Sequence, residues 1–248
     1  MSTIAQPWKL GATAAFAVTA ALAVAFASMR AVGTLGPANL RPMLPLGFVL
    51  MAVAPWALLT RGGRLEIGLK RPAHPAIYLE AVLLGAAAAF ACFLIGFVLF
   101  GTGADNWFVS VAKSFGQTAN AKLSVLQLYL MFTITSMIFS PFGEEIFFRG
   151  LLQRALEERY SVPVSTWIEC LAFALVHLCH HGLVLGASGL TLLPRSAPIW
   201  FVLMALVAYL FSWLRKRGDS LYPAIASHAA FNCMMGTCIF LALWPVGQ

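Results

Sequence analysis

The chain has 248 residues, of which 60% are hydrophobic and only 10% are charged, and its mean hydropathy is +0.84. This composition excludes an ordinary soluble domain and predicts a protein that crosses the membrane several times. The net charge of +7 suggests nucleic acid at first sight, but the Lys and Arg residues lie in short loops between apolar segments. We therefore interpret them as topology signals and expect no nucleic-acid partner.

Seven apolar segments are long enough to form membrane-spanning helices, for which roughly 20 apolar residues are needed. In chain order they cover residues 10–28, 42–60, 81–104, 123–143, 160–194, 196–214 and 220–248. Only the fifth contains an acidic residue, Glu169. The first exceeds the usual apolar core of a signal peptide, so we expect an uncleaved span. The sequence therefore predicts an all-α fold, a polytopic membrane helical bundle in which residues 1–248 form a single integral-membrane domain.

The positive residues predict the orientation of this bundle, because cytoplasmic loops carry an excess of Lys and Arg. If the loop around Arg64 is cytoplasmic and each segment crosses once, then Lys9 and the basic clusters near Arg154 and Arg215 are cytoplasmic too. The amino terminus then lies inside. The cations assigned to the opposite face are Arg30, Arg41, Lys113, Lys122 and Arg195.

One alternative concerns the number of spans. Pro141 and Gly143 either kink one long helix or separate two helices. If residues 141–160 cross the membrane as a helix of their own, the bundle has eight helices instead of seven. Every later segment then reverses its direction.

Two adjacent glutamates, Glu144 and Glu145, lie at the end of the fourth apolar segment. Ionisable residues at membrane depth are costly and usually mark function. Because positions four apart share a helix face, Glu145 and Arg149 are expected to form an ion pair, whereas Glu144 points elsewhere. A carboxylate without a local partner suits a general base. The alternative is a solvated helix end, but the apolar flanks favour a buried pair.

Two further patterns place polar side chains on later segments. Phe173 and His177 are four apart, and Glu169 lies near the same face, where it is either a second acid or simply the partner of His177. His228 and Asn232 are also four apart and present an imidazole and an amide that can stabilise an oxyanion. Each pattern alone is equally explained by interhelical hydrogen bonding. Their coincidence on three segments favours an active site.

A metal site is the second chemical interpretation of these residues. His177 and His181 have a spacing that can bind zinc, but the Glu of the zinc-protease motif is missing. His180 and His181 also lie nearer the predicted helix end and are expected at the interface. The five cysteines fall within apolar segments without a Cys-x-x-Cys motif, so we expect small buried residues and no disulfides.

The ordered patterns resemble those of the CAAX prenyl protease type II family, the larger CPBP or abortive-infection group of intramembrane proteases. The resemblance rests on Glu144-Glu145-x-x-x-Arg149, Phe173-x-x-x-His177 and His228-x-x-x-Asn232, with Phe148-Arg149-Gly150 adding to it, all within residues 140–232. It implies a helical-bundle endopeptidase that hydrolyses peptide bonds in a membrane-embedded cavity. The amino-terminal segments carry no matching motif.

The resemblance also implies roles for individual residues. Glu144 is the general base that activates water, and His177 helps to bind and polarise that water. His228 and Asn232 form the oxyanion hole, while Glu145 and Arg149 support the site. The family has been regarded as containing metalloproteases and glutamic proteases, and these residues permit either. We favour a protease without a cofactor because the Asn232 amide is a poor zinc ligand, and the zinc-dependent version is the alternative.

The expected partners are the lipid bilayer and a membrane peptide or protein substrate. Nothing in the sequence indicates a pocket for a prenyl group, and the short loops favour a multi-pass protein of a bacterial or archaeal cell membrane. A non-proteolytic membrane scaffold of the same fold and a transporter that relays protons are the rival classes. The intact set of glutamate, histidines and Asn232 argues against the scaffold, and the lack of duplicated halves argues against the transporter.

Overall fold

The computed structural model describes residues 7–118, 123–186 and 189–244, and helices dominate this part of the chain. The helices are α1 (Ala12–Leu35), α2 (Met43–Leu58), α3 (Arg61–Glu66), α4 (Ile77–Phe100), α5 (Trp107–Thr118), α6 (Val125–Glu144), α7 (Gln153–Glu157), α8 (Val162–His177), α9 (Ala197–Gly218) and α10 (Tyr222–Cys238). A 3-10 turn, Ala38–Leu40, precedes α2, and π-helical turns follow α6 (Glu145–Leu152) and α10 (Ile239–Leu243). The predicted all-α membrane bundle is confirmed, with one small addition. Strands β1 (Leu183–Gly186) and β2 (Gly189–Leu192) form an antiparallel hairpin between α8 and α9.

Six helical segments in the described part of the chain are long and apolar enough to cross a membrane. They are Ala12–Leu35, Ala38–Leu58, Ile77–Phe100, Val125–Glu157, Ala197–Gly218 and Tyr222–Leu243. Helix α8 is apolar but has only 16 residues, about 24 Å at about 1.5 Å per residue. Together with α8 these segments match the seven predicted ones. The fifth predicted segment differs, because after α8 it continues as the hairpin.

The chain does not reverse direction at Pro141. Helix α6 runs through this proline and continues through the π-helical turn into α7, so that Val125–Glu157 is one element of 33 residues. Residues 141–160 therefore make no separate crossing. The loops around Arg64 and Arg215 lie at the same end of the bundle, where Arg215 donates to the backbone oxygen of Ile67 at 3.3 Å. Of the two predicted helix numbers, seven agrees with this arrangement.

Two glycines bring the helices of the site close to their neighbours. A Cβ atom on Gly85 of α4 would collide with the backbone of Ser227 in α10. A Cβ atom on Gly143 of α6 would likewise collide with the backbone of Phe48 in α2. Small residues at such positions let membrane helices pack backbone to backbone. This packing seats α10 and the end of α6 firmly against the bundle.

Candidate active site

Glu144 is the last residue of α6 and is fully buried. Its Oε2 atom lies 3.7 Å from Nε2 of His177 in α8. The same oxygen lies 3.9 Å from Nε2 of His228 in α10. The structure therefore brings together three predicted site residues from three separate helices. The length of Val125–Glu157, about 50 Å at about 1.5 Å per residue, places Glu144 deep enough to meet His177.

His177 is held in one orientation at the end of α8. Its Nδ1 atom lies 2.7 Å from the carbonyl oxygen of Phe173. Because a carbonyl oxygen only accepts, Nδ1 carries the hydrogen, and the neutral ring presents Nε2 as an acceptor on the side of Glu144. The imidazole also stacks on the Phe173 ring, with centroids 4.1 Å apart. The i, i+4 spacing recognised in the sequence thus fixes the tautomer of His177.

His228 is oriented by Glu145. Its Nδ1 atom lies 2.7 Å from Glu145 Oε1, and since an ionised carboxylate only accepts, Nδ1 donates. The imidazole stacks on Phe211 of α9, with centroids 5.0 Å apart. Sequence analysis predicts Glu145 as a supporting residue paired with Arg149, but it does not reveal this contact with His228. Glu145 therefore supports the site through two partners.

Arg149 lies between two buried carboxylates. Its Nε atom is 3.2 Å from Glu145 Oε2 and 3.4 Å from Glu169 Oε1. All three side chains are fully buried. Glu169 also accepts a hydrogen bond from Ser212 Oγ at 2.9 Å. The predicted ion pair of Glu145 and Arg149 is present, and Glu169 is a second counter-ion of Arg149 instead of the partner of His177.

A cavity of about 360 Å³ adjoins these groups. His177, His228 and Asn232 line it, and most of its wall is apolar, including Phe48, Phe115, Phe132, Phe139, Trp200 and Phe211. Asn232 Nδ2 donates to the carbonyl oxygen of Ser136 at 2.9 Å. An amide nitrogen has two hydrogens, so Asn232 can bind this carbonyl and a substrate oxygen at the same time.

Arg30 of α1 is a site residue that sequence analysis missed. Contrary to the prediction, it does not lie in a loop as a topology signal, because its side chain is only 3% exposed and forms an ion pair with Glu144. Its Nη1 atom lies 3.2 Å from His177 Nε2 and 3.0 Å from His180 Nε2. Since α1 extends to Leu35, beyond the predicted end at residue 28, Arg30 lies within an apolar helix. An arginine within an apolar helix is the signal in the sequence that could have identified Arg30 as a site residue.

Other residues near the site also differ from their predicted placement. His181, which was predicted near the helix end, is buried within the protein, and its Nδ1 atom is 2.8 Å from Ser110 Oγ. Arg41, one of the cations assigned to the non-cytoplasmic face, lines the cavity. Lys122 lies outside the described residues. The five cysteines are free thiols, as predicted, and four of them are buried.

Zinc is the alternative that the resemblance allows. Within residues 7–118, 123–186 and 189–244, no three His, Cys, Asp or Glu side chains are arranged to hold a metal ion. Acceptor atoms of Glu144 and His177 instead contact the Arg30 guanidinium. These donors do not form a zinc site in this arrangement.

Comparison with known proteins identifies one family. Residues 126–234 match the family described as type II CAAX prenyl endopeptidase Rce1-like. The matched region includes every predicted site residue, whereas Arg30 lies outside it. No curated protein and no solved structure matches the chain.

Proposed function

We propose that this chain, which belongs to the Rce1-like family of type II CAAX prenyl endopeptidases, uses Glu144 to activate water for peptide-bond hydrolysis within the membrane. One observation carries the proposal. Glu144 is fully buried, and its Oε2 atom lies within 4 Å of two imidazole nitrogens, at 3.7 Å from His177 and 3.9 Å from His228. A carboxylate held among imidazoles beside an apolar cavity is suited to general-base catalysis.

In the proposed mechanism, Glu144 and His177 hold the attacking water. Glu144 Oε2 and His177 Nε2 are both acceptors, so a water between them donates one hydrogen to each. Its lone pair then points at the carbonyl carbon of the substrate. Glu144 takes one proton as the hydroxyl adds to that carbon. The same carboxyl group returns the proton to the leaving nitrogen when the C–N bond breaks.

The oxyanion formed in this step requires donors on the opposite side of the carbonyl group. Asn232 supplies an amide hydrogen from α10. His228 supplies Nε2 in its protonated form, which the Glu145 carboxylate at Nδ1 stabilises in the same way as the acid of a catalytic triad stabilises its imidazolium. Both residues line the cavity, so a bound peptide can reach them.

The cavity indicates the kind of substrate. Its apolar wall suits the apolar part of a membrane-associated peptide or protein, and its polar lining residues include Arg30, His177 and His228, the three partners of Glu144. Sites of this volume commonly combine many apolar contacts with a few polar groups that orient the ligand.

The test is incubation of the purified protein with apolar membrane peptides, followed by mass spectrometry. We expect discrete fragments that are absent with the Glu144→Gln variant, and no cleavage of any peptide would refute the proposal.

Asn232→Ala should lower kcat by about 10²-fold, the usual scale for the loss of one oxyanion donor. KM should change little, because this interaction strengthens only in the transition state. Steady-state kinetics on a cleaved peptide measures both constants. Cys233→Ser is the matched control, since this neighbouring residue does not line the cavity. A large rise in KM without loss of kcat would show that Asn232 binds substrate instead.

Metal dependence separates the two chemistries that the resemblance allows. We expect purified protein to contain less than stoichiometric zinc and to retain its activity in a strong chelator. Elemental analysis of active protein measures the first, and peptide cleavage after chelation measures the second. One tightly bound zinc per active chain, lost together with activity, would overturn the glutamate mechanism while leaving the protease assignment intact.

A further inference from the structure

The Arg30 guanidinium is in direct contact with Glu144 and forms an ion pair with it. The fully buried carboxylates of the site are Glu144, Glu145 and Glu169. Arg149 pairs with the last two. Within the described part of the chain, the ion-pair partners of Glu144 are the Arg30 guanidinium and the imidazoles of His177 and His228. Burying an ionised carboxylate without a partner is costly, and Arg30 is the cation in direct contact with Glu144, whereas His228 Nε2 lies 3.9 Å away.

Several contacts hold Arg30 in this position. Nη1 lies within hydrogen-bond distance of His177 Nε2 and His180 Nε2, at 3.2 and 3.0 Å. The guanidinium carbon lies 5.4 Å from the centre of the Phe48 ring. These contacts come from α2 and from the end of α8, so the orientation of Arg30 depends on the packed bundle. A cation that served only as a topology signal would lie in water instead.

We propose that Arg30 is a positioning residue of the active site, which keeps Glu144 charged and correctly oriented for general-base catalysis. The inference rests on the proposed function. His180 offers the guanidinium a second acceptor, so that a water can take the place of Arg30 at His177 Nε2 while Arg30 keeps its contact with Glu144. Because a guanidinium has five N–H donors, it can bind Glu144 and His180 together while that water occupies His177 Nε2.

The first test uses three substitutions at this position in the full-length purified protein. Arg30→Gln removes the charge and should lower kcat/KM by about 10²-fold, the scale for losing one electrostatic contact in an active site. Arg30→Lys keeps the charge but loses the planar set of five donors, so its kcat/KM should lie between those of wild type and Arg30→Gln. Guanidinium ion at millimolar concentration should partly restore the kcat/KM of the Arg30→Ala variant. If the role of Arg30 were purely structural, neither the lysine substitution nor added guanidinium would restore activity.

The matched control is Arg159→Gln. Arg159 is an exposed arginine that also packs on α1, with its guanidinium carbon 4.4 Å from the centre of the Phe16 ring, and it makes no contact with the site. Its loss should leave kcat/KM unchanged. Wild-type activity in Arg30→Gln would overturn the inference. So would an Arg30→Lys variant as inactive as Arg30→Gln, combined with no response of Arg30→Ala to guanidinium.

A second measurement does not depend on proteolysis. Arg30→Gln should lower the thermal unfolding midpoint by several degrees in the wild-type background and by less in the Glu144→Gln background, because the charge that Arg30 balances is then absent. Equal shifts in both backgrounds would overturn the pairing. If the shift is smaller in the Glu144→Gln background but the protein cleaves no peptide, the ion pair is supported and the proposed function is refuted. If the protein cleaves peptides but the two shifts are equal, only the role of Arg30 is refuted.

Discussion

Replacing Glu144 with glutamine should abolish measurable peptide cleavage while leaving the bundle folded. The amide keeps the size of the side chain and an oxygen that can contact Arg30, but it cannot take a proton from water. Loss of a general base alone lowers rates by about 10²- to 10⁴-fold. Turnover of a cleaved peptide by the purified variant measures the effect. Circular dichroism and the unfolding midpoint show whether the protein remains folded.

Glu80→Gln is the control for this substitution. Glu80 lies in the first turn of α4, pairs with Arg217 at 3.1 Å on the protein surface and does not line the cavity of the site. The activity of the Glu80→Gln variant should equal that of the wild type. Full activity of Glu144→Gln would exclude Glu144 as the base. An unfolded Glu144→Gln protein would instead indicate a structural role.

Arg149→Met should be the most destabilising substitution at the site. It leaves two buried carboxylates, Glu145 and Glu169, without their shared counter-ion. Removing one partner of a buried ion pair typically costs about 3 to 5 kcal/mol of unfolding free energy. It also removes a guanidinium whose central carbon lies 4.0 Å from the centre of the Phe173 ring. Denaturant unfolding in mixed micelles measures the difference.

Two further variants separate charge from packing in this cluster. Arg149→Met combined with Glu145→Gln and Glu169→Gln should recover much of the lost stability, since no buried charge is then left unpaired. Arg217→Met removes a cation that is 54% exposed, so its cost should stay below about 1 kcal/mol. A small effect of Arg149→Met alone would show that water reaches the cluster and solvates both carboxylates.

Hydropathy and helical periodicity predict much of this protein without its structure. Backbone polar groups in a membrane must be satisfied within each segment, so an apolar stretch of sufficient length indicates a helix. The i, i+4 rule likewise identifies Glu145 with Arg149 and Phe173 with His177, because these partners share a face of one helical segment. The ordered motifs also lead to the family that the comparison confirms. The catalytic roles of their residues remain predictions.

Contacts between helices were decided only by the tertiary structure. Arg30 meets Glu144, Glu145 meets His228 and Arg149 meets Glu169 across distances in sequence that periodicity cannot bridge. The pattern of a helix shows which side chains share a face, but it does not show which neighbour that face meets. Arg30 illustrates the difference, since its charge suggests a loop until the full length of α1 places it inside the bundle. The choice between seven and eight helices also depended on packing, because Pro141 is compatible with a break as well as with a continuous helix.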